Sequence, residues 1–155
     1  VPGAELHLFT GAATYGTIGD SKAGEMAHVL SRAGKLGDQG VRVRGPVTKT
    51  QLIEEFLSAR CMLSRGDINE TFCLAVGEAQ AMGVPGVVQN LGSVVERVID
   101  GETGFVTTER RAFSNAAIRL LSDNDLWRRQ HETAIARQRS WRWANAAQAF
   151  EDLIG

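Results

Sequence analysis

The 155-residue chain is short of the residues and patterns that would force a particular chemistry. Its two cysteines, Cys61 and Cys73, have neither CxxC nor metal-ligand spacing, and both lie in apolar stretches. They read as small buried hydrophobes. The histidines His7, His28 and His131 are scattered over a strand and two helices without ligand spacing, so they read as structural and no metal is expected. Positive charge is not in excess: 17 Lys plus Arg face 18 Asp plus Glu, a net charge of -1. That excludes the basic face of a nucleic-acid binder. No apolar run approaches the roughly 18 residues of a membrane span, and no signal peptide is visible. The Gly-rich loop 11–19 lacks both the Gly-Lys-(Ser/Thr) ending of a P-loop and GxGxxG spacing, which disfavours an NTPase or a dinucleotide dehydrogenase. The sequon Asn69-Glu70-Thr71 and the triplet Arg65-Gly66-Asp67 read as chance.

What is present is an ordinary globular composition, 43% hydrophobic and 23% charged. The length suits one domain, 1–155, with one core. The chain opens on Val1 rather than Met and is read as a piece of a longer protein. Short apolar runs alternate with amphipathic segments over about 5–107. Strands are expected at Glu5–Thr10, Val41–Arg44, Arg60–Ser64, Val84–Gln89 and Gly104–Thr107, and helices at Ser21–Ala33, from Thr48, from about Phe72 to Met82, and at Ser93–Ile99. Thr48 and Gln51 form a capping box, with Leu52, Ile53, Phe56 and Leu57 as the inner stripe of that helix. A helical tail fills about 109–154, with its arginines on solvated faces and Trp127, Trp141 and Trp143 in packing roles. Strands joined by helices at this spacing imply parallel pairing through right-handed crossovers. The fold class is therefore α/β, a doubly wound parallel sheet with a helical C-terminal tail.

In such sheets ligands bind beyond the carboxyl ends of the strands, which nominates loops 11–20, 45–48, 65–71 and 89–93. The third is the informative one. It follows a buried strand and leads into a helix whose first turn is expected to be Thr71-Phe72-Cys73-Leu74. A helix start offers unpaired amides and partial positive charge to an anion. Glu70 stands just before it and Glu78 on its second turn, about 10 Å apart along a helix axis. That is too far for the roughly 5 Å carboxylate pair of a retaining hydrolase, but it suits two carboxylates holding hydroxyls on either side of a diphosphate. The plainer reading of Glu70 is an N-terminal capping acid, and of Glu78 a surface glutamate. The apolar neighbours Leu74, Ala75, Val76, Ala79 and Met82 count against the latter, because a glutamate in a buried helix needs a partner or a ligand.

The run from Ser64 through Glu78 to Val88 resembles the donor-site signature of glycosyltransferase family 4, a GT-B-fold family. The likeness lies in two Glu separated by seven residues about a small-aromatic-small triplet, followed by Ala81-Met82-Gly83-Val84-Pro85. Val41–Val47 and the Gly92–Val106 segment, with Asp100-Gly101-Glu102-Thr103-Gly104, extend it in order and at spacing. The resemblance implies the C-terminal, nucleotide-sugar-binding half of GT-B. Glu70 would contact donor-sugar hydroxyls at the reacting centre, the Phe72–Leu74 amides the sugar and distal phosphate, Glu78 the ribose hydroxyls, and Arg44 and Val47 the base. It further implies transfer from a nucleoside-diphosphate sugar with retention and without metal or other cofactor. An acceptor-binding N-terminal domain would be the partner, and the location cytoplasmic or, through that absent part, peripheral at a membrane. Two departures stand out: Thr71 and Cys73 replace glycines, and no residue matches the family's upstream diphosphate-binding Arg and Lys. A non-catalytic module with the same pocket, or only the same fold, is the alternative.

Overall fold

The computed structural model describes residues 1–9 and 26–154. Two compact units are distinguished, Val1–Leu52 and Ile53–Gly155, and each is taken by itself. In the first, β1 (Leu6–Phe9) and β2 (Val41–Arg44) pair in parallel, with Leu6 opposite Val41 and Phe9 opposite Arg44. Across the pair the Arg42 guanidinium donates through Nε (3.0 Å) and Nη2 (2.7 Å) to Glu5 Oε1. Arg42, and after it His7, hold the Glu5 carboxyl below its ordinary value. Residues 26–34 form helix α1. The loop read over Gly11–Asp20, the beginning of the Ser21 helix and the Thr10 end of the first strand lie outside the described residues.

Helix α2 (Lys49–Ser58) starts on the expected capping box: Gln51 N donates to Thr48 Oγ1 (3.3 Å) and Thr48 N to Gln51 Oε1 (2.9 Å). Its inner stripe is narrower than expected. Phe56 is buried, whereas Ile53 is exposed and Leu57 is 68% exposed. Residues 52 and 56 share one face of the helix, and 53 and 57 sit about 100° further round.

In the second unit β3 (Met62–Ser64), β4 (Gly86–Gln89) and β5 (Gly104–Thr107) form a parallel sheet in the order β3-β4-β5. Central β4 is buried on both sides, as a sheet covered by helices on both faces requires. Successive residues of β4 face opposite ways. Val88 packs with Cys73, Val76, Val94 and Val98, beneath α3 (Leu74–Ala81) and the 3₁₀ segment Gly92–Arg97. Val87 packs with Ala116, Leu120 and Leu126, beneath α4 (Arg110–Ser122) and α5 (Asn124–Arg139). This is the anticipated α/β architecture with parallel strands. Cys61 joins the Val87 side, where burial pushes its thiol up to about 11. Helix α6 (Trp143–Ile154) ends the described chain.

A polar seam fixes α3 from behind. Buried Gln80 donates from Nε2 to Thr103 O and Oγ1 (both 3.1 Å), and its Oε1 accepts from Gln138 Nε2 at 3.2 Å. After α3 the chain turns at Gly83 (φ +77°), where a Cβ would run into the His131 ring. His131 is structural, as read from the sequence: its Nδ1 lies 2.6 Å from Gly83 O.

Candidate functional site

The passage from β3 to α3 is built by local hydrogen bonds. Asp67 Oδ1 accepts from Asn69 N (2.8 Å) and Asp67 O from Glu70 N (3.0 Å), which closes a tight Asx-type turn. Three residues on, Cys73 N donates to Glu70 Oε1 at 3.0 Å. Cys73 itself is left-handed, at φ 54° and ψ 64°. A left-handed residue cannot continue a right-handed helix, so α3 begins at Leu74, and the expected first turn over Thr71–Leu74 is corrected. Glu70 closes the turn before α3 by accepting from the Cys73 amide, and α3 itself has no side-chain cap hydrogen bond. The separation reckoned from helical rise does not apply to Glu70, because Glu70–Cys73 are not helical.

The first helix-type bond runs from Gly77 N to Cys73 O (3.3 Å). Helix geometry then leaves the amides of Leu74, Ala75 and Val76 without intrahelical acceptors. The Val76 amide already faces the Cys73 thiol, so the Leu74 and Ala75 amides are the ones that can meet an anion, later in the chain than the expected Phe72–Leu74. A non-glycine residue in the left-handed region costs roughly 1–2 kcal/mol, so Cys73 adopts, at a cost, the backbone a glycine adopts freely. The Cys73 side chain is buried under α3, and burial raises its thiol above the ordinary value. The Val76 amide and the Ser64 hydroxyl act in the opposite direction.

Helix α3 is less buried than its composition suggested. Val76, Ala79 and Gln80 face inward, while Leu74, Ala75 and Ala81 are exposed, because an eight-residue helix on a sheet face covers only one side of itself. Glu78 is half-buried at the edge between the two sides.

Sequence reasoning missed the residue that closes the site from below. Gly92 (φ +62°) brings its backbone against the Asp67 carbonyl, which a Cβ would meet, and Ser93 N donates to Glu70 O at 3.2 Å. The 3₁₀ segment therefore lies directly against the 67–70 turn. From it Arg97, only 6% exposed, sets its guanidinium carbon 4.1 Å from the Phe72 ring centre and 4.3 Å from that of Trp141. The two rings are 6.2 Å apart and tilted by 59°. A buried charge costs several kcal/mol, and each desolvated cation–π contact returns up to about 2 kcal/mol. Against this, the Glu96 carboxylate is 3.9 Å away and exposed, while Arg97 Nε and Ser93 Oγ find no hydrogen-bond partner among the described residues. The signal available in the sequence was a single arginine inside Val94–Ile99, an otherwise apolar stretch apart from Glu96.

The structure thus gathers Glu70, Thr71, Phe72, Cys73 and Leu74 into one turn, with Glu78 further along α3. Arg44, at the exposed end of β2, and Val47, exposed before α2, belong to the other compact unit. Among the described residues no group of His, Cys, Asp and Glu gathers to hold a metal ion, and no helix is long and apolar enough to cross a membrane.

A family model described as glycosyl transferases group 1 matches residues 10–123, which include the whole Glu70–Glu78 passage. The chain belongs to this family. Among its group 1 relatives are two proteins named D-inositol 3-phosphate glycosyltransferase. The one from Corynebacterium diphtheriae is 28% identical over 136 residues, covering 86% of this chain and 32% of the relative. The one from Streptomyces griseus is 33% identical over 115 residues, covering 73% and 24%. The chain therefore spans a quarter to a third of the length of the curated relatives it matches. Two GT-B structures share the fold. Sucrose-phosphate synthase from Thermosynechococcus elongatus has a TM-score of 0.75 at 24% identity over 99% of this chain and 38% of that one. HepE from Anabaena, solved in complex with UDP-glucose, has a TM-score of 0.68 at 21% identity over 89% and 36%.

Proposed function

We propose that this group 1 glycosyltransferase chain is the nucleotide-sugar-binding part of a family 4 enzyme, which moves a hexosyl group from a nucleoside-diphosphate sugar to an acceptor with retention and without metal. The observation that carries the reading is the Glu70–Leu74 turn. It leads into the start of α3, where Leu74 and Ala75 are exposed and their amides have no intrahelical acceptor; there a diphosphate would be held and the anionic leaving group stabilised. Glu70 would take donor-sugar hydroxyls beside the reacting carbon, and Glu78 the ribose hydroxyls. Thr71, Phe72, Cys73 and Leu74 would line the phosphate, and Arg44 and Val47 the base. The UDP-glucose in HepE and the activity in the relatives' names support a sugar nucleotide as ligand.

Acceptor recognition would belong to a second domain of the full protein, working in the cytoplasm or at a membrane surface. The chain alone would bind donor without turning it over. No residue of this chain matches the family's diphosphate-binding Arg and Lys, so the affinity of the chain alone is expected to be weaker than micromolar.

Titration with UDP, GDP and their hexose conjugates, in buffer with and without EDTA, tests the reading. Saturable, EDTA-insensitive binding that falls at least about tenfold, or ~1.4 kcal/mol, in Glu78→Ala is the expected outcome. Absence of binding to the full-length protein would overturn it. The non-catalytic alternative draws on Thr71 and Cys73 standing where the family has glycines; binding without sugar transfer by the full-length protein would favour it.

A further inference from the structure

We infer that Arg97, gripped between Phe72 and Trp141, is a positioning residue that holds the Phe72–Cys73 turn in its left-handed form and so presets the donor-binding amides of α3. The inference rests on the proposed donor site and goes beyond it, because none of the roles expected there falls to Arg97 or Trp141. Three observations converge.

The first is the strain at Cys73. A non-glycine residue stays left-handed only where its surroundings over-determine it. The bond from Cys73 N to Glu70 Oε1 and the packing of the Cys73 side chain among Val76, Val88, Val94 and Val98 are part of that constraint. The neighbouring Phe72, 44% exposed, adds to it through the Arg97 guanidinium that lies over its ring. The second is the cost of that cation. Arg97 is buried with an unpartnered Nε and only a distant carboxylate. The two ring faces, 4.1 and 4.3 Å from its carbon, offset part of that desolvation. The third is connectivity. Phe72 and Trp141 are far apart in sequence, their rings lie 6.2 Å apart, and Arg97 sits over both, so the turn is tied to the entrance of α6 as well as to its own neighbours. The guanidinium carbon lies over both rings at once, and a delocalised, weakly hydrated guanidinium suits ring faces better than the strongly hydrated ammonium of a lysine.

The decisive experiment is a mutant cycle read by amide hydrogen exchange in the absence of any nucleotide, together with donor titration, on the full-length protein. In Arg97→Gln the Cys73 amide, protected by Glu70, should exchange about tenfold faster, and donor should bind about fivefold more weakly. Placed in a Cys73→Gly background, where no left-handed strain remains to be held, the same substitution should change donor binding by less than twofold. Trp141→Leu removes one ring face and leaves the charge, so it reports the same loosening should Arg97→Gln fail to fold; Arg97→Lys should restore only part of the protection. Unchanged exchange in both Arg97→Gln and Trp141→Leu, or an equal effect of Arg97→Gln on binding with and without Cys73→Gly, would overturn the inference. A wild-type protein that binds no nucleotide sugar would instead overturn the donor reading, whatever the exchange shows.

Discussion

The two faces of the β3-β4-β5 sheet, divided between adjacent residues Val87 and Val88, are built to different standards. On the Val87 side α4 and α5 close over Leu120, Ala116 and Leu126, and the arginine and tryptophan there find hydrogen-bond partners, although Gln130 Oε1 of α5 has none among the described residues. Trp127 Nε1 donates to Arg60 O at 2.8 Å, and Arg60 Nη2 to Leu120 O at 2.9 Å. On the Val88 side the same sheet carries a left-handed cysteine, a buried arginine and an unpartnered serine hydroxyl. The left-handed backbone and the buried cation both lie on the Val88 side. Backbone strain of that kind persists only where a well-packed scaffold holds it.

The sharpest way to break this comparison is Leu120→Ala. It should cost about 3 kcal/mol in denaturant unfolding while leaving donor affinity of the folded molecules unchanged; a parallel loss of affinity would show the faces to be coupled.

Alkaline titration comes next. Both thiols are raised, Cys61 to about 11. The unfolded chain ionises its thiols first, so this contribution is fully present below the ordinary thiol value, about 8.5. It is lost as pH rises through about 11. At pH 8 both should resist alkylation until the protein is unfolded, and rapid native labelling of Cys73 would mean the site face opens.

Ser93→Ala should be neutral or stabilising by up to about 1 kcal/mol, since it deletes a buried hydroxyl without a partner. A clear loss would reveal a partner such as an ordered water. The smallest effect is expected from Gly77→Ala. A Cβ there meets nothing within 4 Å, so the helix should gain roughly 0.5–1 kcal/mol. A drop in donor binding in that variant would place the ligand over Gly77.

The Val87 face was largely legible in the sequence and the Val88 face only in part. Strands Val41–Arg44 and Gly104–Thr107 were read to the residue, and the helical tail of about 109–154 matches the span of α4 to α6, because period and turn residues agree there. The Thr48–Gln51 box was equally plain. The start of α3 was not, since nothing in Thr71-Phe72-Cys73 marks a left-handed cysteine and helix propensity runs straight through it. Arg97 was invisible for a different reason. Its environment is made by rings from residues 72 and 141, a long-range arrangement that no local period encodes. The wide stripe read on α2 failed at Leu57 because sequence spacing tells which residues share a helix face but not how much of that face is covered.

Helix α6 has a practical consequence. Trp143, Phe150 and Ile154 recur at helical spacing on one side, with Leu153 beside them, and Trp143 is 91% exposed. A bare apolar ridge of that kind makes a chain sticky. Purified alone, this one is expected to light up hydrophobic dyes while fully folded and to clump as it is concentrated. Trimming it after Ser140 would cure the clumping and, by removing Trp141, disturb the turn that precedes α3.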